Sequence, residues 1–386
     1  MRRVCVVISA RPSYSRVKSV LTALAKRSDV ELQVVVTASA LVERSGRVVE
    51  IIQRDGFPVS AEVSALVEGD STTSMVKTTG LVMLELTGIL ARLRPDVVVV
   101  IADRYETIAT SLTASYMRIP LAHLQGGEVT GNIDEKVRHA NTKLADIHLV
   151  ATEVARQRVI AMGEVESAVF LTGCPSIDLA ADIAPDTPLG FDPLQKYGGV
   201  GEPIDILQPY VVVLQHPVTT EQSLAETQAT NTLEAVNALE MPTLWFWPNV
   251  DAGADRTSKA IRRFRELRDP KQIHFFKNME PLEFLRLINR AAVLVGNSSV
   301  GVREAGILGV PVVNIGSRQS GRERAANVRD CGYERQEIEA AARDQIAHGR
   351  YAADHLYGDG RSGARVAEIL ATTPLTSDKQ FVTRLH

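Results

Sequence analysis

Cysteine is scarce: Cys5, Cys174 and Cys331 are the only three in 386 residues, and they lie far apart. That excludes a disulfide framework and a cysteine-built zinc site, and it suits a reducing compartment, the cytoplasm. An excess of one charge is also lacking. Lys and Arg number 43 against 46 Asp and Glu, a net charge of −3 with no basic block, so nucleic acid and membrane surfaces are poor partners. No stretch approaches the roughly 18 continuous apolar residues of a membrane span. The opening Met1 to Ala10 has an apolar run of only about seven residues before Arg11 and no small-residue cleavage site, so it reads as a buried strand and not as a signal peptide. No Gly-x-Gly-x-x-Gly follows that strand. A nicotinamide cofactor bound in the usual way is thereby excluded, and neither cofactor nor metal is expected.

What is present is a rhythm. Short β-branched runs (4–9, 31–36, 97–102, 120–124, 147–150 and 169–172) alternate with amphipathic helical stretches at 14–26, 74–92, 106–117 and 154–162. Near-continuous valine runs mark strands buried on both faces, hence a parallel sheet between helices. The rhythm breaks between Ala184 and Pro209, where Pro185, Pro188, Pro193, Pro203 and four glycines cluster, and resumes with runs at 210–214, 243–247, 273–276, 293–295 and 312–315. The expected fold class is therefore α/β, with two Rossmann-like domains facing a cleft. The first spans 1–184, a linker 185–209 and the second 210–360, with a helical tail, 361–386, able to pack back on the first.

The densest chemistry lies between His123 and His139. This stretch carries both histidines, Glu128, Asp134, Glu135, Lys136, Arg138 and the pair Gly126-Gly127. It leaves the carboxyl end of an expected parallel strand, where open α/β sheets build their sites, and groups of both signs there are what proton transfer requires. A solvated loop opening an ordinary helix accounts for Glu135 and Lys136 but poorly for the cluster. Asp103 and Arg104 end the 97–102 run in the same way, although Asp103 could simply cap the next helix. Arg11 and Ser15 begin the first helix, a place that favours anions, unless Ser13 is only an N-cap there.

In the second half, Pro217 holds His216 extended at a strand end. Asn249 and Asp251 end another strand, where either could be turn chemistry. Gly296-Asn297-Ser298-Ser299 leads from strand to helix, so Ser298, Ser299 and the first helical N–H groups make a phosphate cradle or a plain cap. Glu304 follows, suited to two ribose hydroxyls, and Arg318 lies just past a strand within reach of the same phosphates.

Taken in order, Arg11, Asp103-Arg104, Gly126-Gly127-Glu128, Asp134, Arg138-His139, Gln215 to Thr220, Pro248 to Gly253, Asn297 to Ser299, Val302-Arg303-Glu304 and Arg318-Gln319 are similar to the motifs of the hydrolysing UDP-N-acetylglucosamine 2-epimerases, the sialic- and legionaminic-acid pathway type among them. The resemblance covers nearly the whole chain. It implies a GT-B-type fold and a UDP-activated 2-acetamido sugar as substrate, with Ser298, Ser299 and Arg318 on the diphosphate, Glu304 on the ribose and Asn249 near the nucleotide. Arg11, Ser15 and Arg104 would reach across from the first domain, and a homodimer or higher homo-oligomer is expected. The implied reaction removes the C2 proton, expels UDP anti to leave a 2-acetamidoglucal, and adds water to give the epimeric free sugar.

The family's catalytic carboxylates map to Asp103, Asp134 and the second position after His123, which here is Gln125. A glutamine is no general base. Either Glu128 takes its place or Asp134 and the histidines divide the work, with Asp134 favoured, Glu128 and His123 in support, and Arg138 and His216 completing the set. A non-hydrolysing epimerase of similar fold, a GT-B glycosyltransferase and a nucleotide-sugar-binding protein that lost catalysis are the alternatives.

Overall fold

The computed structural model describes residues 1–43, 47–68, 71–130, 133–218, 220–248, 254–380 and 382. The chain forms two compact units, one of Met1–Val129, Ile133–Asp178 and Tyr357–His386, the other of Thr130–Asn132 and Leu179–Leu356.

The first unit is built on a seven-stranded parallel sheet. Its strands are β1 (Arg2–Ile8), β2 (Val30–Thr37), β3 (Val59–Val63), β4 (Val97–Ile101), β5 (Leu121–Leu124), β6 (Ile147–Val150) and β7 (Val169–Leu171), in the order β3-β2-β1-β4-β5-β6-β7. The crossovers are α1 (Arg11–Ala25), α2 (Val48–Arg54), α3 (Thr72–Leu93), α4 (Thr107–Tyr116), α5 (Ile133–Leu144) and α6 (Glu153–Ala161). The valine run of β4 shows why the sheet is a middle layer. Val97, Val99 and Ile101 enter one core with Val17 and Leu21 of α1, while Val98 and Val100 enter the opposite core with Val82, Leu86 and Leu90 of α3. Alternate side chains leave a strand on opposite faces, so a strand covered on both sides reads as continuously apolar.

The next helix, α7 (Ser176–Ala181), runs through the division into the second unit. There α8 (Pro193–Tyr197) precedes a six-stranded parallel sheet of β8 (Val211–Leu214), β9 (Thr243–Phe246), β10 (Ile273–Phe276), β11 (Val293–Gly296), β12 (Val312–Ile315) and β13 (Val328–Cys331). The order is β10-β9-β8-β11-β12-β13. Its helices are α9 (Ala225–Asn237), α10 (Ala254–Arg268), α11 (Pro281–Asn289), α12 (Ser299–Val302), α13 (Glu304–Leu308) and α14 (Arg335–His348). In the proline-rich segment before β8, Leu189, Leu194, Tyr197, Ile204 and Ile206 pack on this unit's core, and Val200 makes an isolated antiparallel bridge to Phe275.

The last helix, α15 (Ser362–Thr372), belongs to the first unit. Val366 and Leu370 join the α1 core. Gly363 permits the approach, since a Cβ there would lie 2.6 Å from the backbone of Ser19.

In both sheets the strand order reverses once, between β1 and β4 and between β8 and β11. Chain connections diverge at such a point and leave a crevice at the carboxyl ends of the strands, where open α/β sheets bind ligands.

Candidate active site

In the first unit the crevice is edged by the loops that follow β1, β4 and β5. After β4 the backbone turns sharply: Ala102 has φ +56, and after β5 Gln125 has φ +66. Such left-handed geometry in a residue with a Cβ costs energy and is found where surrounding structure enforces it. The next residue after Ala102 is Asp103, nearly buried, whose carboxylate accepts a hydrogen bond from the Arg138 guanidinium. Arg16 of α1 stands 3.8 Å from its other oxygen. Arg138 is itself only 1% exposed, and its second nitrogen donates to the Glu128 carbonyl at 2.7 Å. One guanidinium thus joins the end of β4 to the loop after β5.

That loop is shaped by its glycines. A Cβ on Gly126 would lie 2.9 Å from His123 Nδ1 and 3.0 Å from Thr142 Oγ1, and one on Gly127, at φ +77, would collide with the Ala155 carbonyl. Glu128 follows, buried. The Gln125 carboxamide donates to Cys174 Sγ at 2.9 Å, and that sulfur lies 3.0 Å from Ser176 Oγ.

On α5, Asp134, Arg138 and Asn141 are spaced four and three apart, hence on one face. Asp134 sits in the first turn, partly exposed, where the helix dipole favours a carboxylate. The far end is also tied down. Lys379 donates to the carbonyls of Thr142, at 3.3 Å, and Ala145, and pairs with Glu164 at 2.5 Å. Burial pushes the Glu164 carboxyl up, but hydrogen bonds from His148, Lys143 and Lys379 outweigh it and hold it at about 2.

Expected as an acid–base group, His123 is fully buried, with Nε2 2.9 Å from the Ala102 carbonyl and Nδ1 3.1 Å from Thr142 Oγ1. Both ring nitrogens thus have a partner within hydrogen-bond distance. Burial pulls it down from 6.5 to about 4. A histidine lowered in the folded state protonates first in the unfolded chain, so its contribution is complete above pH 6.5 and drains away as the pH falls towards 4. His148, lowered likewise by burial, adds to the same acid-side loss. We expect His123→Gln to flatten the fall in unfolding free energy over this window by up to about 3 kcal/mol. Urea unfolding at a series of pH values checks this; an unchanged slope would contradict it.

The other first-unit candidates have local partners. Arg104 Nε donates to Glu106 at 2.8 Å, and its guanidinium lies over the Tyr105 ring. Arg11 opens α1, whose N-cap is Ala10 with no side-chain cap, so Ser13 is not the cap. Ser15 Oγ donates back to the Arg11 carbonyl at 3.3 Å.

In the second unit Asn297, at the end of β11, organises the crevice. Its side chain holds the backbone of His216 at both ends, accepting from the N–H and donating to the carbonyl, each at 2.8 Å. Its own carbonyl accepts from Arg318 at 3.1 Å and Gln319 at 2.8 Å. Gly296 before it has φ +138, and a Cβ there would overlap the Leu214 carbonyl.

Ser298 is the N-cap of α12, accepting from Val300 N at 3.4 Å, and Ser299 is the first helical residue. The helix breaks at Arg303, which is buried, and Glu304 opens α13. Among the described residues nothing donates to the buried Glu304 Oε2, an acceptor that suits a hydroxyl-bearing ligand. Arg322, also buried, donates to Gln319 at 2.8 Å. Glu221, after β8, accepts from Ser317, from Tyr333 at 2.8 Å and from Gln228 at 2.7 Å, tying this loop to the one after β12. Asn249 and Asp251 lie outside the described residues. Among the described residues no group of three or more His, Cys, Asp or Glu could hold a metal.

Residues 22–371 match the family model described as UDP-N-acetylglucosamine 2-epimerase. The chain belongs to that family. It is 32% identical to the UDP-N,N'-diacetylbacillosamine 2-epimerase (hydrolyzing) of Legionella pneumophila, over 98% of this chain and 97% of that one. It is 27% identical to the UDP-N-acetylglucosamine 2-epimerase of Neisseria meningitidis, over 99% of each. Among solved structures, the Neisseria meningitidis UDP-GlcNAc 2-epimerase bound to UDP-GlcNAc superposes with a TM-score of 0.80 at 20% identity, covering 95% of this chain and 99% of that one. This last likeness shows the fold, two Rossmann-like domains of the GT-B type.

Three residues of this family member escaped the sequence reading: Arg16 beside Asp103, Asn297 as the clasp of His216, and Asn141 behind Asp134 and Arg138. Asn297 stands inside a motif already singled out, and Arg16 directly follows Ser15. Asn141 carries no signal beyond falling one helical repeat from them.

Proposed function

We propose that the protein is a hydrolysing 2-epimerase of a UDP-activated 2-acetamido sugar, converting UDP-N-acetylglucosamine and water to N-acetylmannosamine and UDP. One observation carries most weight: the acid-bearing face of α5 is fastened to the end of β4 at the switch point of the first sheet. Without that fastening Asp134 and Asp103 would have no fixed separation. The hydrolysing name of the Legionella relative supports the same reading.

The chemistry follows from charge. The C2 hydrogen is not next to a carbonyl and becomes acidic only as the C1–O bond to UDP breaks, so stabilising the departing diphosphate is the larger electrostatic task. Ser298, Ser299 and Arg318 are assigned to it, with Arg303 and Arg322 as buried positive charge nearby in the chain. Glu304, whose buried Oε2 meets no donor among the described residues, takes the ribose. Asp134 takes the C2 proton, with Glu128 positioned to act on water; Asp103, held by Arg138 and Arg16, anchors that arrangement. Gln125 offers a hydrogen bond in place of a base.

Incubation in D2O with UDP-N-acetylglucosamine and with 4-acetamido analogues tests the reaction. The expected products are UDP and a free sugar carrying one deuterium at C2. A free sugar without label at C2 would exclude the mechanism, and a labelled sugar still attached to UDP would assign the non-hydrolysing branch.

We also assign a homodimer, through α3. By length and composition this is the one helix among the described residues able to cross a membrane, yet Val82, Leu86 and Leu90 lie in the core. Its outer face leaves Val76 and Leu84 73% and 70% exposed, beside Gly80 and Gly88. Antiparallel self-pairing about Leu81 brings Lys77 of one copy to Glu85 of the other, as a two-fold interface requires. Light scattering should find a dimer that Val76→Glu with Leu84→Glu converts to monomer; an unchanged mass would refute the interface. The buried thiols Cys5 and Cys174 fit the reducing cytoplasm in which we place the reaction.

A further inference from the structure

We propose that His123 and Asn141 are positioning residues: together they clamp the carbonyl of Ala102 and so set the placement of Asp103 and Asp134. The inference rests on the epimerase reading above.

The clamp begins with a strained residue. Ala102 takes a left-handed backbone, φ +56, between the last residue of β4 and Asp103. Glycine would adopt this without penalty, whereas alanine adopts it only when held. The holding groups are visible. The Ala102 carbonyl accepts from His123 Nε2 at 2.9 Å and from Asn141 Nδ2 at 3.3 Å, while its N–H donates to the Leu124 carbonyl at 2.9 Å. Both clamping side chains are completely buried.

Asn141 cannot turn. Its oxygen accepts from Ser111 Oγ at 2.7 Å, and its nitrogen donates a second time to Thr107 Oγ1 at 2.8 Å. The amide is therefore fixed to both ends of the β4–α4 connection. Because Asn141 lies seven residues after Asp134 on the same face of α5, fixing it to Ala102 fixes how far α5 sits along its own axis. A slip of one residue would move Asp134 and Arg138 by about 1.5 Å relative to Asp103. His123 serves the other side. Its ring touches the Ala102 carbonyl, Thr142 of α5 and the space that Gly126 leaves open, so it registers the loop carrying Glu128 against the same carbonyl. Three carboxylates on separate elements thus share one reference atom.

Buried polar groups of this kind specify position more than they add stability. The test accordingly reads kinetics. Asn141→Leu keeps the branched shape and the number of non-hydrogen atoms and removes the bonds. Its kcat should fall between about tenfold and a hundredfold, as expected for a misplacement on the ångström scale, with KM for the UDP-sugar within about twofold of wild type. Ala102→Gly alone should leave kcat within about twofold, because glycine takes the left-handed turn without alanine's steric strain. Combined with Asn141→Leu it should restore at least about threefold of the lost kcat, a recovery that a merely structural role would not give.

Should Asn141→Leu fail to fold, His123→Gln is the second variant, with the same split between kcat and KM and the same rescue by Ala102→Gly. A folded clamp variant with wild-type kcat, or a loss that glycine at 102 does not relieve, overturns the clamp while wild type turns over. A wild type inert toward every UDP-linked 2-acetamido sugar overturns the reading of function instead. The clamp is then decided by the Ala102 backbone in a crystal structure of Asn141→Leu: a φ that stays near its present value refutes it.

Discussion

Asp134→Asn is expected to lower turnover by about a hundredfold to ten-thousandfold while UDP binds as tightly as to wild type. The substitution is nearly isosteric and removes the negative charge, and with it the ability to accept a proton. Its structural cost is small. Asp134 lies in the first turn of α5 and is partly exposed, so the lost helix-dipole interaction is worth about 0.3–1 kcal/mol. A dipole loss of that size would not by itself unfold the chain. The residues assigned to UDP lie on other elements, which is why binding and turnover should separate. Pre-steady-state mixing in D2O gives a sharper reading than the steady state: if Asp134 takes the C2 proton, both UDP release and C2 exchange should slow together. Substantial exchange retained by the Asn variant would pass the base role to Glu128, the buried carboxylate of the loop after β5, and Glu128→Gln should then show the loss instead.

The two-layered valine runs made the fold legible, because a strand covered on both faces has no polar face to disguise it. Val97 to Ile101 is the clearest case. Two edge strands went unread for the converse reason. β3 (Val59–Val63) and β13 (Val328–Cys331) each pair on one side only and keep exposed residues such as Glu62, Arg329 and Asp330. The site was legible where local order carries it, as in Gly296-Asn297-Ser298-Ser299, where strand, glycine and capping serine are adjacent. It was illegible where topology decides partners. Arg16 meets Asp103 only because β1 and β4 are neighbours, a pairing no local pattern announces.

His123 illustrates the same limit. In a four-residue strand with every position buried, nothing in the sequence distinguishes a histidine pointing into the crevice from one pointing into the layer beneath it. The left-handed turns at Ala102 and Gln125 were equally silent, since neither residue is one that favours them.

Arg138→Leu should be the most destabilising single change in the first unit. Arg138 is one of the largest fully buried side chains, bonded to Asp103 and to the Glu128 carbonyl. Removing it leaves a nearly buried carboxylate whose other cation among the described residues is Arg16, 3.8 Å away, and breaking such a pair costs about 3–5 kcal/mol. Removing both partners should cost less than the sum: in Arg138→Leu with Asp103→Asn the stranded charge is gone, and a coupling energy of about 1–3 kcal/mol should appear in the double-mutant cycle. Arg138→Lys separates stability from function. An ammonium can pair with Asp103 but cannot hold the planar two-point contact that also fixes the Glu128 loop, so this variant should fold while losing most of its kcat. If Arg138→Leu instead unfolds in urea like wild type and the cycle shows no coupling, Asp103 is not held by this guanidinium in solution, and the fastening of α5 to β4 on which the assignment of Asp134 depends falls with it.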